Sequence, residues 1–593
     1  MVAPLAVILA ALAALRPVLS NDFVEWDDPE NFLDNPAFRG LGWAHLVWMG
    51  TAFHLGVYQP LSWLVAAVEY TIGGLDPSVY HAGSWMLHAA AAGMVYVVAR
   101  RLLEPMAPSP GALRLAAAFA AVFWAVHPLR VEAVAWASAQ GYPLAAVFLL
   151  ASVAAYLRAR AGFPAQRARW LGVSVGAALL AYLAKPVAVT LPLVLLVLDG
   201  YPLRRFAGGS TDRWSAVWIE KLPFLVPAIL IAGIAPLARA RLGAIEEHYR
   251  LGARLAQAAY GLIYYLVKTV APVNLSFYVP LAPDMDPSEP RFLLSGLAVA
   301  SVAAGAWMLR RGAPTVPAAL AVYAALLLPV LGLIPQGLQL VADRYAYFAG
   351  IPIAIALAAG GLAAWRRAGA RPPVTACLLG AALVALLTLG SAAWRQAATW
   401  ENTATLLRHT ATVDPMGFWT QAVTVNPRWA RAHLNLGTVL AASGRHDEAL
   451  GHFRTALAFA PTNANAHLSA GLALARLGRL DEAVAAYRRG LTLRPDDATG
   501  RTHLGELLGR RGDWAGAERE YRIALGLAAH PDLFNSLGVA LAQQGRFADA
   551  AEAFRQSLRL DPAHSDAAAN LTLAIREGAR IDSSAPPTPD HGP

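Results

Sequence analysis

Asn21 to Asn35, reading NDFVEWDDPENFLDN, hold six carboxylates: Asp22, Glu25, Asp27, Asp28, Glu30 and Asp34. The stretch follows an apolar run, and charge beside hydrocarbon is costly unless the site is wet or paired. Carboxylates so placed suit general-base work on a hydroxyl. Read alone, the stretch also fits a solvated loop in which Asp27 or Asp28 caps a helix with Pro29 at its first position. Further polar residues interrupt apolar surroundings elsewhere. They are His81, the loop HPLRVEAVAWASAQG (127–141) with His127, Arg130 and Glu132, then Lys185, and Asp343-Arg344. Arginine and lysine suit a phosphate. Singly, each has an ordinary reading. His81 and His88 share a helix face and could pair with a neighbouring helix. Lys185 and Arg344 could extend their heads to water at helix ends, and Glu132 could bridge to Arg130.

The elements that must position these residues are apolar. Of 593 residues 57% are hydrophobic and only 15% charged, a membrane composition. Apolar runs at 1–20, 80–99, 112–126, 142–157, 170–184, 187–199, 222–236, 292–309, 317–334, 345–364 and 374–393 give about eleven transmembrane helices. Residues 43–75, with His45, His54, Gln59 and Glu69, have the Trp-rich rhythm of interfacial helices. The segment 257–273, with the preceding 237–256, is placed as an external interfacial or re-entrant helix. Basic loops at Arg100-Arg101 with Arg114, Arg158–Arg169, Arg204–Lys221, Arg310-Arg311 and Arg366–Arg371 are cytoplasmic by the positive-inside rule. The N-terminus is then inside and everything after Ala393 outside, so the polar residues above converge on one external face. The net charge of +9 is nearly all Arg and forms no long basic arm with interleaved aromatics, which speaks against nucleic acid. One cysteine, Cys377, makes a disulfide framework or a cysteine metal site within the chain impossible.

From Asn426 the chain repeats. Gly437, Gly471, Gly505 and Gly538 recur about every 34 residues, followed in phase by Gly444, Gly478, Gly512 and Gly545, then Ala449, Ala483, Ala517 and Ala550, then Phe453, Tyr487, Tyr521 and Phe554. This is the helix–turn–helix signature of tetratricopeptide repeats, whose stacked concave surface binds peptide or protein. The chain therefore reads as all-α. A polytopic membrane domain occupies 1–393, a helical adaptor 394–425, four repeats in an α-solenoid 426–576, and a disordered tail 577–593.

DFVEWDDPENFLDN (22–35), YQPLSWLVAAVEYTIGGLDPSVYH (58–81), HPLRVEAVAWASAQ (127–140), LAKP (183–186), VNLSF (273–277), ADRYAYF (342–348) and the repeats occur together in one order. The chain thereby resembles the TMTC group, membrane O-mannosyltransferases with transmembrane and tetratricopeptide regions, within the GT-C glycosyltransferases that include the PMT-type protein mannosyltransferases. The resemblance implies a GT-C-type membrane domain. It implies transfer of a sugar, commonly mannose, from a polyprenyl-phosphate carrier to Ser or Thr of proteins outside the cytoplasm. It assigns the base to Asp27, with Asp28 binding or orienting substrate. Lys185 and Arg344 stand near the donor phosphate, and His81, His127, Arg130, Glu132, Asp343 and Tyr347 complete the substrate-binding set. Paired acids could hold a divalent metal. The expected setting is a bacterial inner membrane with periplasmic repeats that present acceptor proteins. Two other functions fit the sequence: a non-catalytic membrane-anchored scaffold for envelope proteins, and a GT-C enzyme with a lipid or glycan acceptor.

Overall fold

The computed structural model describes residues 2–161, 164–206, 214–241, 251–275, 277, 279–280, 285–333, 339–367, 372–411, 419–420, 423 and 427–584. The chain divides into two compact units, Met1–Val413 and Asp414–Pro593.

The first unit is helical from its start. Helix α1 (Val2–Ala14) is 13 residues long and ends in a tight turn at Arg16–Ser20. The acidic stretch then makes one wide helical turn at Pro29–Leu33. Two shorter helices, α2 (Trp43–Thr51) and α3 (Pro60–Gly73), follow. Their apolar faces meet the acidic stretch in an aromatic cluster of Phe32, Phe38, Met49, Trp63 and Tyr80. The long α4 (Pro77–Leu103) starts sharply because Asp76 accepts the Ser78 amide and Pro77 needs no donor partner. Ser109 caps α5 (Pro110–Ala125) in the same way.

After α5 the chain bends by 60° into the 128–135 segment, which ends in α6 (Val131–Ala135). Helices α7 (Gly141–Ala161) and α8 (Pro164–Ala184) pack side by side. Ser152 and Ser174 exchange hydrogen bonds across that seam, as small residues permit between close helices. Next come α9 (Leu191–Gly200), α10 (Trp214–Ile219), α11 (Leu222–Arg241) and α12 (Leu251–Val270). The unit closes with α13 (Pro290–Leu309), α14 (Thr315–Leu327), α15 (Ala346–Arg367), α16 (Pro372–Ala398) and α17 (Thr403–Ala411). One small antiparallel pair, β1 (Val279–Pro280) and β2 (Gln339–Val341), matches Val279 to Val341.

Among the described residues, five helices are long and apolar enough to cross a membrane. A sixth is gained if the bent pair Pro110–Ala125 and Pro128–Ala135 counts as one span. Four of the eleven expected spans are instead shorter apolar helices, Val2–Ala14, Pro186–Gly200, Leu222–Ile234 and Thr315–Val330. At 1.5 Å per residue a 13-residue helix covers only about 20 Å of a hydrocarbon core of about 30 Å. The segment 257–273 lies mostly in α12, which is not among the span candidates. Part of its preceding region, 242–250, lies outside the described residues. Arginines end α4 (Arg100, Arg101), α7 (Arg158, Arg160) and α15 (Arg366, Arg367), where they also complement the helix dipole.

The first unit reaches past Ala393. Asp22 donates its amide to the Glu401 carbonyl at 2.7 Å, and the Glu25 amide donates to Thr403 Oγ1 at 2.9 Å. Residues expected in a separate adaptor thus support the acidic loop.

In the second unit four helix pairs stack: α18 (Ala430–Ala442) with α19 (His446–Phe459), α20 (Ala464–Arg476) with α21 (Leu480–Leu493), α22 (Ala498–Arg510) with α23 (Trp514–Leu527), and α24 (Pro531–Gln543) with α25 (Phe547–Leu560). The periodic glycines are needed because a Cβ at Gly437, Gly471, Gly505 or Gly538 would stand 2.5 to 2.7 Å from the ring of Phe453, Tyr487, Tyr521 or Phe554. A final helix, α26 (Ser565–Ser584), covers the end of the stack, so residues 577–584 of the expected tail are helical. Residues 585–593 lie outside the described residues.

Candidate functional site

The acidic loop is held by one of its own acids. Asp28 is fully buried, and both carboxylate oxygens are engaged. Oδ2 accepts the Val24 amide at 2.9 Å, while Oδ1 accepts the Ser138 amide at 3.0 Å and its hydroxyl at 2.5 Å. Asn31 Nδ2 donates to the same Ser138 oxygen at 2.8 Å. Burial pushes the Asp28 carboxyl up to about 7 against these hydrogen bonds, with Asp27 adding a smaller push. Asp28 therefore clamps 22–35 onto the 127–141 segment.

Its neighbour Asp27 is half-buried. Burial lowers the pKa of both His54 and Lys185, and the charge of Asp27 opposes that shift in each, which puts acid, imidazole and amine in one electrostatic neighbourhood. Lys185 reaches it from the N-cap of the turn after α8. Its Nζ donates to Gln59 Oε1 at 3.0 Å and lies 5.2 Å from the Tyr142 ring centre. Arg344 also acts on Lys185, as a like charge. His54 Nε2 lies 3.0 Å from the Glu30 carbonyl, and its ring packs on Trp63.

The remaining expected site residues fall into a second, more buried layer. Glu132 and Arg344 form a paired fork: Glu132 Oε1 meets Arg344 Nη1, and Oε2 accepts the Arg344 amide at 2.7 Å. Arg344 further donates to the Phe277 carbonyl at 3.2 Å and to Gln339 Oε1 at 2.8 Å. Asp343 accepts from the Tyr264 hydroxyl at 3.1 Å. Glu132, Asp343, Gln396 and His409 line, with Leu275, Phe277, Trp400 and Leu406, a cavity of about 10 Å³, room for a single water.

Four of the expected site residues are held by hydrogen bonds to the protein itself. Arg130 is buried and donates to the Ala346 carbonyl and, at 2.7 Å, to that of Tyr347, stapling the 128–130 turn to α15. The Tyr347 hydroxyl is fully buried 2.7 Å from His88 Nδ1, in the helical core. His127 accepts the Leu129 amide at Nδ1, so its Nε2–H donates to the Thr269 carbonyl at 3.0 Å. His81 is buried with Nε2 3.4 Å from the Asp22 carbonyl, behind the acidic loop. Each makes at least one hydrogen bond within the protein, while His81 Nδ1 and Arg130 Nε are buried with no partner among the described residues.

Sequence reasoning missed Ser138, Asn31, Tyr142 and Thr403. Ser138 stands inside the 127–141 segment already singled out, but a serine between alanines carries no periodic signal. Among the described residues no three His, Cys, Asp or Glu side chains gather as metal ligands.

Two models described as tetratricopeptide repeat match residues 430–496 and 503–565. Solved structures resembling the chain include YrrB, a TPR protein with an unusual peptide-binding site (22% identity, TM-score 0.26, covering 28% of this chain and 87% of that one), and MamA (19%, 0.25, 26% and 92%). The chain is similar to protein O-mannosyl-transferase Tmtc1 of Drosophila melanogaster, 40% identical over 80 residues, and to protein O-mannosyl-transferase TMTC2 of Mus musculus, 28% identical over 217 residues. These matches cover 14% and 35% of the chain, and 8% and 25% of the relatives' own lengths. The chain thus joins a helical unit that has membrane-length apolar helices to tetratricopeptide repeats, and over part of its length it is similar to two proteins named TMTC O-mannosyl-transferases.

Proposed function

We propose that the protein is a membrane glycosyltransferase that moves mannose from a polyprenyl-phosphate carrier to a Ser or Thr hydroxyl of proteins outside the cytoplasm. The observation that supports this reading is the placement of the acidic loop: Asp28 anchors it through Val24 and Ser138, and the half-buried Asp27 beside it lies within electrostatic reach of Lys185. Asp27 takes the proton of the acceptor hydroxyl as its oxygen attacks the anomeric carbon. The bond from that carbon to the carrier oxygen breaks, its electron pair leaves with the lipid phosphate, and the sugar inverts. Lys185 stabilises the departing phosphate, while Arg344, fixed by Glu132, adds positive potential from behind. Lipid phosphate is a good leaving group, so no acid is needed to protonate it. The repeats recruit acceptor proteins; protein binding is the general use of such stacks.

The test is transfer from polyprenyl-phosphate-mannose to a Ser/Thr peptide by the purified chain in detergent. Asp27→Asn should lower kcat by about 10²–10⁴, the range of a lost general base, with unchanged thermal unfolding. Asp28→Asn should lower the unfolding temperature as well as the rate. Normal turnover by Asp27→Asn would overturn the assignment.

A further inference from the structure

The end of the first unit away from the acidic loop contains a second constellation. Helix α4 carries His81 near the acidic loop and Leu103 at its other end, about 33 Å away at 1.5 Å per residue. There the loops after α9 and α13 meet in an open pocket of about 470 Å³ whose charged lining residues are Arg204, Arg310 and Arg311. All three are exposed, and none has a carboxylate partner among the described residues. Arg204 holds a left-handed backbone, φ +51°, which side chains rarely adopt. The Arg310 guanidinium carbon stands over the Trp307 ring, 3.8 Å from its centre, and Nη1 donates to the Trp307 carbonyl at 2.7 Å. Tryptophan and arginine together mark the level of a membrane's headgroups.

Two apolar cavities run from this pocket, one on each side of α14. The first, about 100 Å³, shares Val197, Tyr201 and Ala318 with the basic pocket and continues past Val322 and Leu326. The second, about 500 Å³, shares Arg310 and Pro317 with it and continues past Leu320 and Ala324. A cluster of guanidinium groups flanked by two hydrocarbon-lined clefts has the chemistry of an anionic lipid with two chains. Basic pockets between membrane helices bind such headgroups through their phosphates.

We propose that α14 is straddled by one anionic glycerophospholipid, its phosphate on Arg204, Arg310 and Arg311 and one acyl chain in each cleft. The site is separate from sugar transfer and stands whether or not that reading does. A single-chain carrier would leave one cleft unfilled, which is why the glycerophospholipid is the occupant.

The test is native mass spectrometry of the full-length chain released from nanodiscs of equal dioleoyl-phosphatidylglycerol and dioleoyl-phosphatidylcholine. The wild type should retain phosphatidylglycerol at least tenfold over phosphatidylcholine. The triple substitution Arg204→Gln, Arg310→Gln, Arg311→Gln should abolish that preference, whereas Arg366→Gln with Arg367→Gln, which removes a basic pair elsewhere, should keep it. Ala318→Trp, which fills one cleft without altering charge, should lower retention several-fold and covers the case in which the triple variant does not fold. Equal retention by wild type, triple variant and Ala318→Trp overturns the proposal. So does displacement of the lipid by 10 mM inorganic phosphate, which means an anion site only, or preferential retention of a polyprenyl phosphate over phosphatidylglycerol.

Discussion

Asp27 and Asp28 are neighbours with the same side chain and different fates, decided by a serine 110 residues away in sequence. The Asp28 carboxyl titrates near 7 when folded, against an ordinary value of 3.8. The folded state thus holds that proton more tightly than the unfolded chain does. The stabilisation from the neutral carboxyl is complete below about pH 4 and is lost as pH rises through 7. The unfolding temperature of the detergent-solubilised protein should therefore fall between pH 5 and 8, and Asp28→Asn should flatten that slope. An unchanged slope in the variant would mean that another group controls it. The acid-rich stretch was legible in the sequence, because six carboxylates beside an apolar run are conspicuous. The clamping role of Asp28 was not. It depends on burial and on Ser138, and neither leaves a pattern along the chain. The same holds for Arg130 and Tyr347, whose side chains are turned to main-chain carbonyls and to His88 by packing that hydropathy cannot see.

At the scale of elements, the repeats were readable to the residue, since period, glycine and aromatic recur in phase. The apolar helices were readable in number more than in kind. Thr315–Leu327 and Val2–Ala14 are as apolar as the longer helices but stop early, each running into a tight turn that contains a proline. One junction positions Lys185. The start of α7 passes so close to the end of α8 that a Cβ on Gly141 would stand 3.0 Å from the Ala184 carbonyl oxygen, from Lys185 Cδ and from Ser62 Oγ. Gly141→Val should push the Lys185 stem aside. The expected result is a KM for the lipid-linked donor raised about tenfold, since misplacement by 1 Å can cost as much as 10². Overpacking should also lower stability by about 1–3 kcal/mol. Donor titrations at fixed peptide distinguish this from a general loss: an unchanged KM with reduced kcat would detach Lys185 from donor binding.

For the whole molecule, the two units make different kinds of structure. The first is a bundle whose parts are joined across long sequence distances, while in the second each helix packs mainly on its neighbours in the chain. A chain ending at Val413 should therefore keep transfer to short Ser/Thr peptides within about threefold, an expectation from the approximate independence of separate compact units. It should lose transfer to folded or long acceptor proteins by a much larger factor. Comparing both acceptors for the truncated and full-length proteins checks this. Equal loss for both would place the repeats within the catalytic unit's own stability.

The amide of Glu25 finds its partner at Thr403, 378 residues later. A ribosome adds about 5–20 residues each second, so the loop made first waits on the order of 20 to 75 s for the residue that seats it. A nascent chain interrupted anywhere before Thr403 lacks that seat for its acidic loop.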